Sequence, residues 1–178
     1  MKKVITLFLL FSFLVGCESI NNSPTRRVEE FFNKYQTLDE KLLNNLDYSI
    51  ESNELNEHQK SLYREIMEKQ YKDLIYVIKD EEIDGNTAVV KVEIEVYNYN
   101  LSNNEASEYL MNNQSEFLTE DGSVNQSKYI DYKLNLMKNN RERVKYTLEL
   151  TLTKKEKIWI MDNISNVDRE KIHGIYSN

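Results

Sequence analysis

Between Thr87 and Tyr99 the apolar residues fall, almost without exception, on every second position. Ala88, Val90, Val92, Ile94 and Val96 share one parity, and Lys91, Glu93 and Glu95 share the other. Successive side chains of a strand point to opposite faces, so this run has one buried and one wet face. That pattern belongs to an antiparallel sheet, because parallel strands are covered on both sides and read as continuous apolar runs. Just upstream, Asp84-Gly85 is a strong two-residue hairpin signal, with Leu74 to Asp80 as the partner strand. A second alternating run places Val144, Tyr146, Leu148, Leu150 and Leu152 against Lys145, Thr147, Glu149, Thr151 and Thr153. The reading puts its turn at Lys154-Lys155-Glu156. The return strand, Lys157 to Asp162, is then expected to turn Ile158 and Ile160 inward and Trp159 onto the wet face.

Elsewhere the period is helical. Ser23-Pro24 places a capping hydroxyl before a proline at the first helical position. Val28, Phe31, Phe32, Tyr35 and Leu38 then follow at helical spacing as one apolar stripe. Further helices are predicted over about 40–46, with Leu42, Leu43 and Leu46, and over about 57–72, with Leu62, Tyr63, Ile66 and Met67. Two more, about 104–117 and 126–140, interrupt the strands around a turn at Glu120-Asp121-Gly122, and residues 167–172 add a short last one.

Helices first and hairpins after make an α+β domain over 24–178, its N-terminal helices packed on one face of a curved antiparallel sheet and a helical insertion between the hairpins. The stretch from Tyr76 to Ile94, a strand, an Asp-Gly turn and an Ala-Val-Val-Lys-Val strand, resembles the NTF2-like, cystatin-like superfamily as found in small bacterial lipoproteins. That resemblance implies a curved sheet wrapped around helices, in some members with a conical cavity used for catalysis or small ligands. Fold alone does not assign a function.

The N-terminus carries a second resemblance. Met1-Lys2-Lys3 is a basic start, and Val4 to Val15 is an apolar run broken only by Thr6 and Ser12. It is shorter than the roughly 20 residues that cross a bilayer and has the form of a secretory signal. It ends in Leu14-Val15-Gly16-Cys17, which resembles the lipobox of bacterial lipoproteins. The resemblance implies removal of residues 1–16, acylation (a palmitate-type lipid) of the Cys17 thiol and a tether over 17–23. The domain would then sit on the extracytoplasmic face of a bacterial cell membrane. Cys17 is the one cysteine of the chain, so it has no internal disulfide partner.

Composition excludes several chemistries. The formal charge is −7; removing Lys2 and Lys3 with the signal takes it to −9. Nucleic-acid binding, which needs clustered Lys and Arg, is therefore not expected. There are two histidines, His58 and His173, and neither lies in a motif; both are assigned to the surface. With no clustered Cys or His, no metal and no cofactor is expected. A calcium loop at 120–125 fails, because aligning Gly122 puts Phe117 and Lys128 at ligand positions. The acidic runs Glu29-Glu30 and Asp80-Glu81-Glu82 read as solvated faces.

The aromatics remain. Phe31, Phe32 and Tyr35 with Tyr76, Tyr146 and Trp159 could be core or could line an apolar pocket, whose candidates are Phe31, Tyr35 and Tyr76. Trp159 beside Tyr97 or Tyr99 is the candidate interaction surface, the partner being another envelope protein. The sum is a binding or interaction module without catalysis, with a ligand-binding or catalytic pocket as the alternative.

Overall fold

The computed structural model describes residues 22–177. The signal and Cys17 lie outside the described residues. Three helices come first: α1 (Pro24–Gln36), α2 (Glu40–Glu51) and α3 (Glu57–Lys72). The hairpin β1 (Ile75–Asp84) and β2 (Thr87–Tyr97) follows, then α4 (Tyr99–Asn112), a 3₁₀ turn over Gln114–Phe117 and α5 (Gln126–Asn139). The chain closes with β3 (Arg143–Lys155), β4 (Ile158–Met161) and α6 (Asn166–His173). The architecture is α+β, with helices on one face of a four-stranded antiparallel sheet of order β1-β2-β3-β4.

Local chemistry places the helix starts. Ser23 Oγ accepts the Arg26 N–H at 3.1 Å ahead of Pro24. Asn56 and Gln59 form a reciprocal capping box at the head of α3. Helix α2 runs past its expected end at residue 46 to Glu51, because Ile50 extends its buried side beyond Leu46. Strand β2 ends two residues before its expected limit. Asn98 accepts the Leu101 N–H at 3.2 Å, and this cap turns the chain into α4.

The core lies between the sheet and the helices. The β2 set Ala88, Val90, Val92, Ile94 and Val96 is buried together with Leu148, Leu150 and Leu152 of β3. The register explains their union: Ala88 faces Leu152, Val90 faces Leu150 and Val92 faces Leu148. Val28, Phe32 and Tyr35 of α1 and Leu62, Ile66, Met67 and Tyr71 of α3 supply the other wall. Burying such side chains contributes roughly 1.5–3 kcal/mol each.

A bulge at Lys79 shifts the β1–β2 register, so that Tyr76 and Ile78 face Ile94 and Val92 but Glu81 faces Val90. Glu81 is thereby brought to the helix side, where it accepts the Thr25 N–H at 2.8 Å in the first turn of α1. A carboxylate there satisfies an otherwise unpaired N–H and complements the helix dipole. Of the acidic run 80–82, then, only Asp80 and Glu82 are freely solvated.

The β3–β4 hairpin corrects the expectation for Trp159. The turn falls at Glu156-Lys157, both left-handed at φ 50° and 68°, one residue later than expected. Lys154 therefore faces Trp159, and Leu152 faces Met161. Trp159 points inward at 4% exposure, whereas Ile158 and Ile160 are about half exposed. All four residues of β4 are apolar, so its alternation carries no phase. The turn sets it.

Candidate functional site

Three surfaces were candidates for binding: the aromatic cluster, the outward sheet face and a cavity among the helices.

The aromatics form a continuous packed chain. Phe31 meets Phe32 at 5.1 Å and Tyr35 at 5.2 Å, Tyr35 meets Tyr71 at 5.0 Å, and Tyr76 stacks on Phe32 at 4.7 Å. Burial pushes the Tyr35 hydroxyl up to about 12. Phe31, Tyr35 and Tyr76 are thus brought together, but by filling the space between α1, β1 and α3. Phe31 borders a shallow groove between α1 and β4 shared with Arg27, Lys34 and Trp159.

At its inner end this chain of rings reaches His173. Its Nε2 lies 3.1 Å from the Tyr71 hydroxyl, and burial, with Arg169 nearby, lowers its pKa to about 4. His173 is therefore half-buried against α3 and not an open surface residue as expected. Docking of α6 carries it against α3, and nothing in its sequence neighbourhood signals that. His58 is exposed, as expected.

The outward face of the sheet carries an ordered charge ladder. Lys79 and Lys145 flank Glu93 at 3.3 and 3.5 Å, Lys145 reaches Glu95 at 3.8 Å, and Arg143 Nε donates to Glu95 at 2.9 Å. Lys79 and Lys145 hold the Glu93 carboxyl below its usual range. Tyr97 lies beneath two cations, Lys69 at 3.5 Å and Arg143 at 4.8 Å, and donates to Asp73 at 2.8 Å. Ile75 and Val77 of edge strand β1 stand about half exposed on this face, with Val89 and Ile160 beyond them. Tyr97 therefore does contribute to a surface. Tyr99 does not: it is buried and donates to the Ile66 carbonyl at 3.3 Å. Trp159 is on the opposite side of the sheet, so the expected cluster of Trp159, Tyr97 and Tyr99 is not formed.

The cavity is not marked by any pattern in the sequence. The α2–α3 loop (Asn53, Glu54, Leu55), Tyr63 of α3, Asn103 of α4, the α5 residues Ile130, Lys133, Leu134 and Met137, and Ile175 surround about 360 Å³, open on one side. Its floor is apolar and its rim polar. Burial raises the Tyr63 hydroxyl above its usual range. Tyr63, Glu54 and Lys133 make no side-chain hydrogen bond or ion pair among the described residues. Helical spacing puts Tyr63 on the buried side of α3 and Ile130, Leu134 and Met137 on one side of α5, and only the meeting of α3, α4 and α5 leaves a gap between them.

Among the described residues, no group of three or more His, Cys, Asp or Glu is placed to hold a metal ion. No helix there is long and apolar enough to cross a membrane. No known protein family, curated protein or solved structure matches the chain.

Proposed function

We propose that this chain is a lipid-anchored extracytoplasmic lipoprotein whose NTF2-like or cystatin-like domain is a binding module for another envelope protein. One observation carries the reading. On the outward face of the sheet, away from the end of α3 at Tyr97, edge strand β1 presents Ile75 and Val77 half exposed beside the Lys79–Glu93–Lys145–Glu95–Arg143 ladder. Exposed aliphatic groups set among ordered charges suit a protein partner, which uses apolar contact for affinity and charge for orientation. An edge strand also offers unpaired backbone groups. Cys17 and the signal-like N-terminus support placement at the cell membrane.

The test is co-purification from the native membrane. Val77→Glu, and the pair Lys91→Glu with Lys145→Glu, are expected to abolish recovery of the partner while the protein itself stays at the membrane. Undiminished recovery with all these variants would overturn the reading.

A second reading rests on the cavity. Its volume falls within the range of small-ligand sites, and an apolar floor with a polar rim suits a small amphipathic molecule. Native mass spectrometry of gently extracted protein is expected, on this reading, to show a stoichiometric adduct that Leu134→Trp removes by filling the floor. A bare mass throughout rejects it.

A further inference from the structure

The two ends of the domain are chemically different, and the tether chooses between them. Asn22 Nδ2 donates to the Lys157 carbonyl at 2.6 Å, and Asn22 Oδ1 accepts the Trp159 N–H at 3.3 Å. The chain therefore enters the domain at the β3–β4 turn. Lys154 N–H donates to the Asn86 carbonyl at 2.7 Å, so the β1–β2 turn lies at the same end. The cavity lies at the other: Ile175 on its wall follows Gly174, whose carbonyl accepts the Asn100 N–H at 2.8 Å just past the end of β2. The eleven residues of β2 separate the two ends, a span of about 33 Å.

From Cys17 to Asn22 there are five steps of chain, which reach about 18 Å at most. An acyl chain on Cys17 thus holds the β3–β4 turn within that distance of the bilayer. The turn has its own chemistry. In a protein of net charge −9 after processing, Lys154, Lys155 and Lys157 balance Glu156 and the exposed Glu82 and Asp84 of the neighbouring β1–β2 turn, so this end is near neutral while the rest of the domain carries the negative charge. Lys155 and Lys157 are exposed, and none of the three lysines makes an ion pair among the described residues. Beside them Ile158 is 50% exposed, and Ile83 at the end of β1 is 54% exposed. Cationic side chains with exposed aliphatic neighbours match the boundary between anionic headgroups and acyl chains. The backbone is consistent with that use. A turn with two left-handed residues favours Asn-Gly, yet Glu156-Lys157 occupies it and sets a lysine at the tip.

We propose that the β3–β4 turn rests on the anionic membrane surface beside the anchor, with Lys154, Lys155 and Lys157 on lipid phosphates and Ile158 at the headgroup boundary. This rests on the anchoring reading of Cys17. The domain then stands end-on, its cavity turned away from the bilayer and its sheet face directed sideways. The net negative charge lies in the body of the domain beyond this near-neutral end, and its repulsion from the same headgroups favours this orientation.

The test uses the processed, acylated protein in phosphatidylcholine vesicles with and without phosphatidylglycerol. One fluorophore is placed through Glu156→Cys at the turn, or through Glu54→Cys at the cavity rim, and headgroup-labelled lipid serves as quencher. With phosphatidylglycerol, quenching at 156 is expected to exceed that at 54 several-fold. Lys154→Glu, Lys155→Glu and Lys157→Glu together should remove the excess, and Lys155→Gln with Lys157→Gln should reduce it without reversing charge. Equal quenching at the two positions on a chain whose mass shows the acyl groups overturns this proposal alone. A mass showing an unmodified Cys17 in the native membrane overturns the anchoring reading and this proposal with it.

Discussion

The Tyr71 hydroxyl lies 3.1 Å from His173 Nε2, joining α3 to the C-terminal helix across 102 residues of sequence. The imidazole is held neutral there, because burial disfavours its charged form and Arg169 adds repulsion. Its pKa in the fold is about 4, below the ordinary value of 6.5. The unfolded chain therefore takes up a proton as pH falls below 6.5 while the folded chain does not. Stability contributed by neutral His173 is present above 6.5 and is lost as pH falls toward 4, below which both states are protonated. Denaturant titrations across this window are expected to show wild type losing on the order of 2 kcal/mol more than His173→Gln. Parallel curves for the two proteins would contradict the burial of the ring.

Gly174 closes the same helix in the left-handed region, at φ 72°. A Cβ there would overlap the Tyr97 carbonyl oxygen and press on the Gln70 side chain. That side chain is the rivet of this end of the core. Gln70 Oε1 accepts the Tyr97 N–H at 2.9 Å, and its Nε2 donates to the Tyr97 carbonyl at 3.2 Å. Gly174→Ala is therefore expected to destabilise the domain by about 2 kcal/mol or more, from backbone strain and the displaced amide together. Equilibrium unfolding measures it, and a change within about 0.5 kcal/mol, the range of neutral surface substitutions, would argue against the contact.

Trp159 is the one tryptophan of the chain, so its fluorescence reports a single site. Buried at 4% exposure, under Lys154 at 5.2 Å, it should emit at short wavelength and resist quenching by acrylamide. Trp159→Ala should cost about 3–5 kcal/mol, as large-to-small changes in a core do. Ile160→Ala on the opposite face should cost far less, since half of that side chain already meets water. Exposed-type emission from Trp159 would restore the outward phase of β4.

Much of this architecture is a local matter and is legible in the residues. Ser23-Pro24 and the Asn56/Gln59 box start their helices through contacts within four residues, and helix α3 spans the expected 57–72. The alternation of β2 and β3 selects its own buried face, because a slip of one residue would send every valine and leucine into water. Tertiary structure alone decided the rest. Strand β4, Ile158-Trp159-Ile160-Met161, is apolar at every position, so its phase followed from where the turn closed. His173 looked like a surface histidine until α6 docked on α3, a contact that no nearby residue encodes. Periodicity put Phe31 and Tyr35 on one helical stripe and left them, with Tyr76, as either core or pocket lining; only their mutual packing showed that the rings fill that space. The cavity is the converse case. Ile130, Leu134 and Met137 are a plain core stripe on α5, and a void opens beside them because the α2–α3 loop and α4 stop short of closing over it. Sequence patterns report which side of an element avoids water. Whether that side meets a snug neighbour is settled by how distant elements pack, and no local period records it.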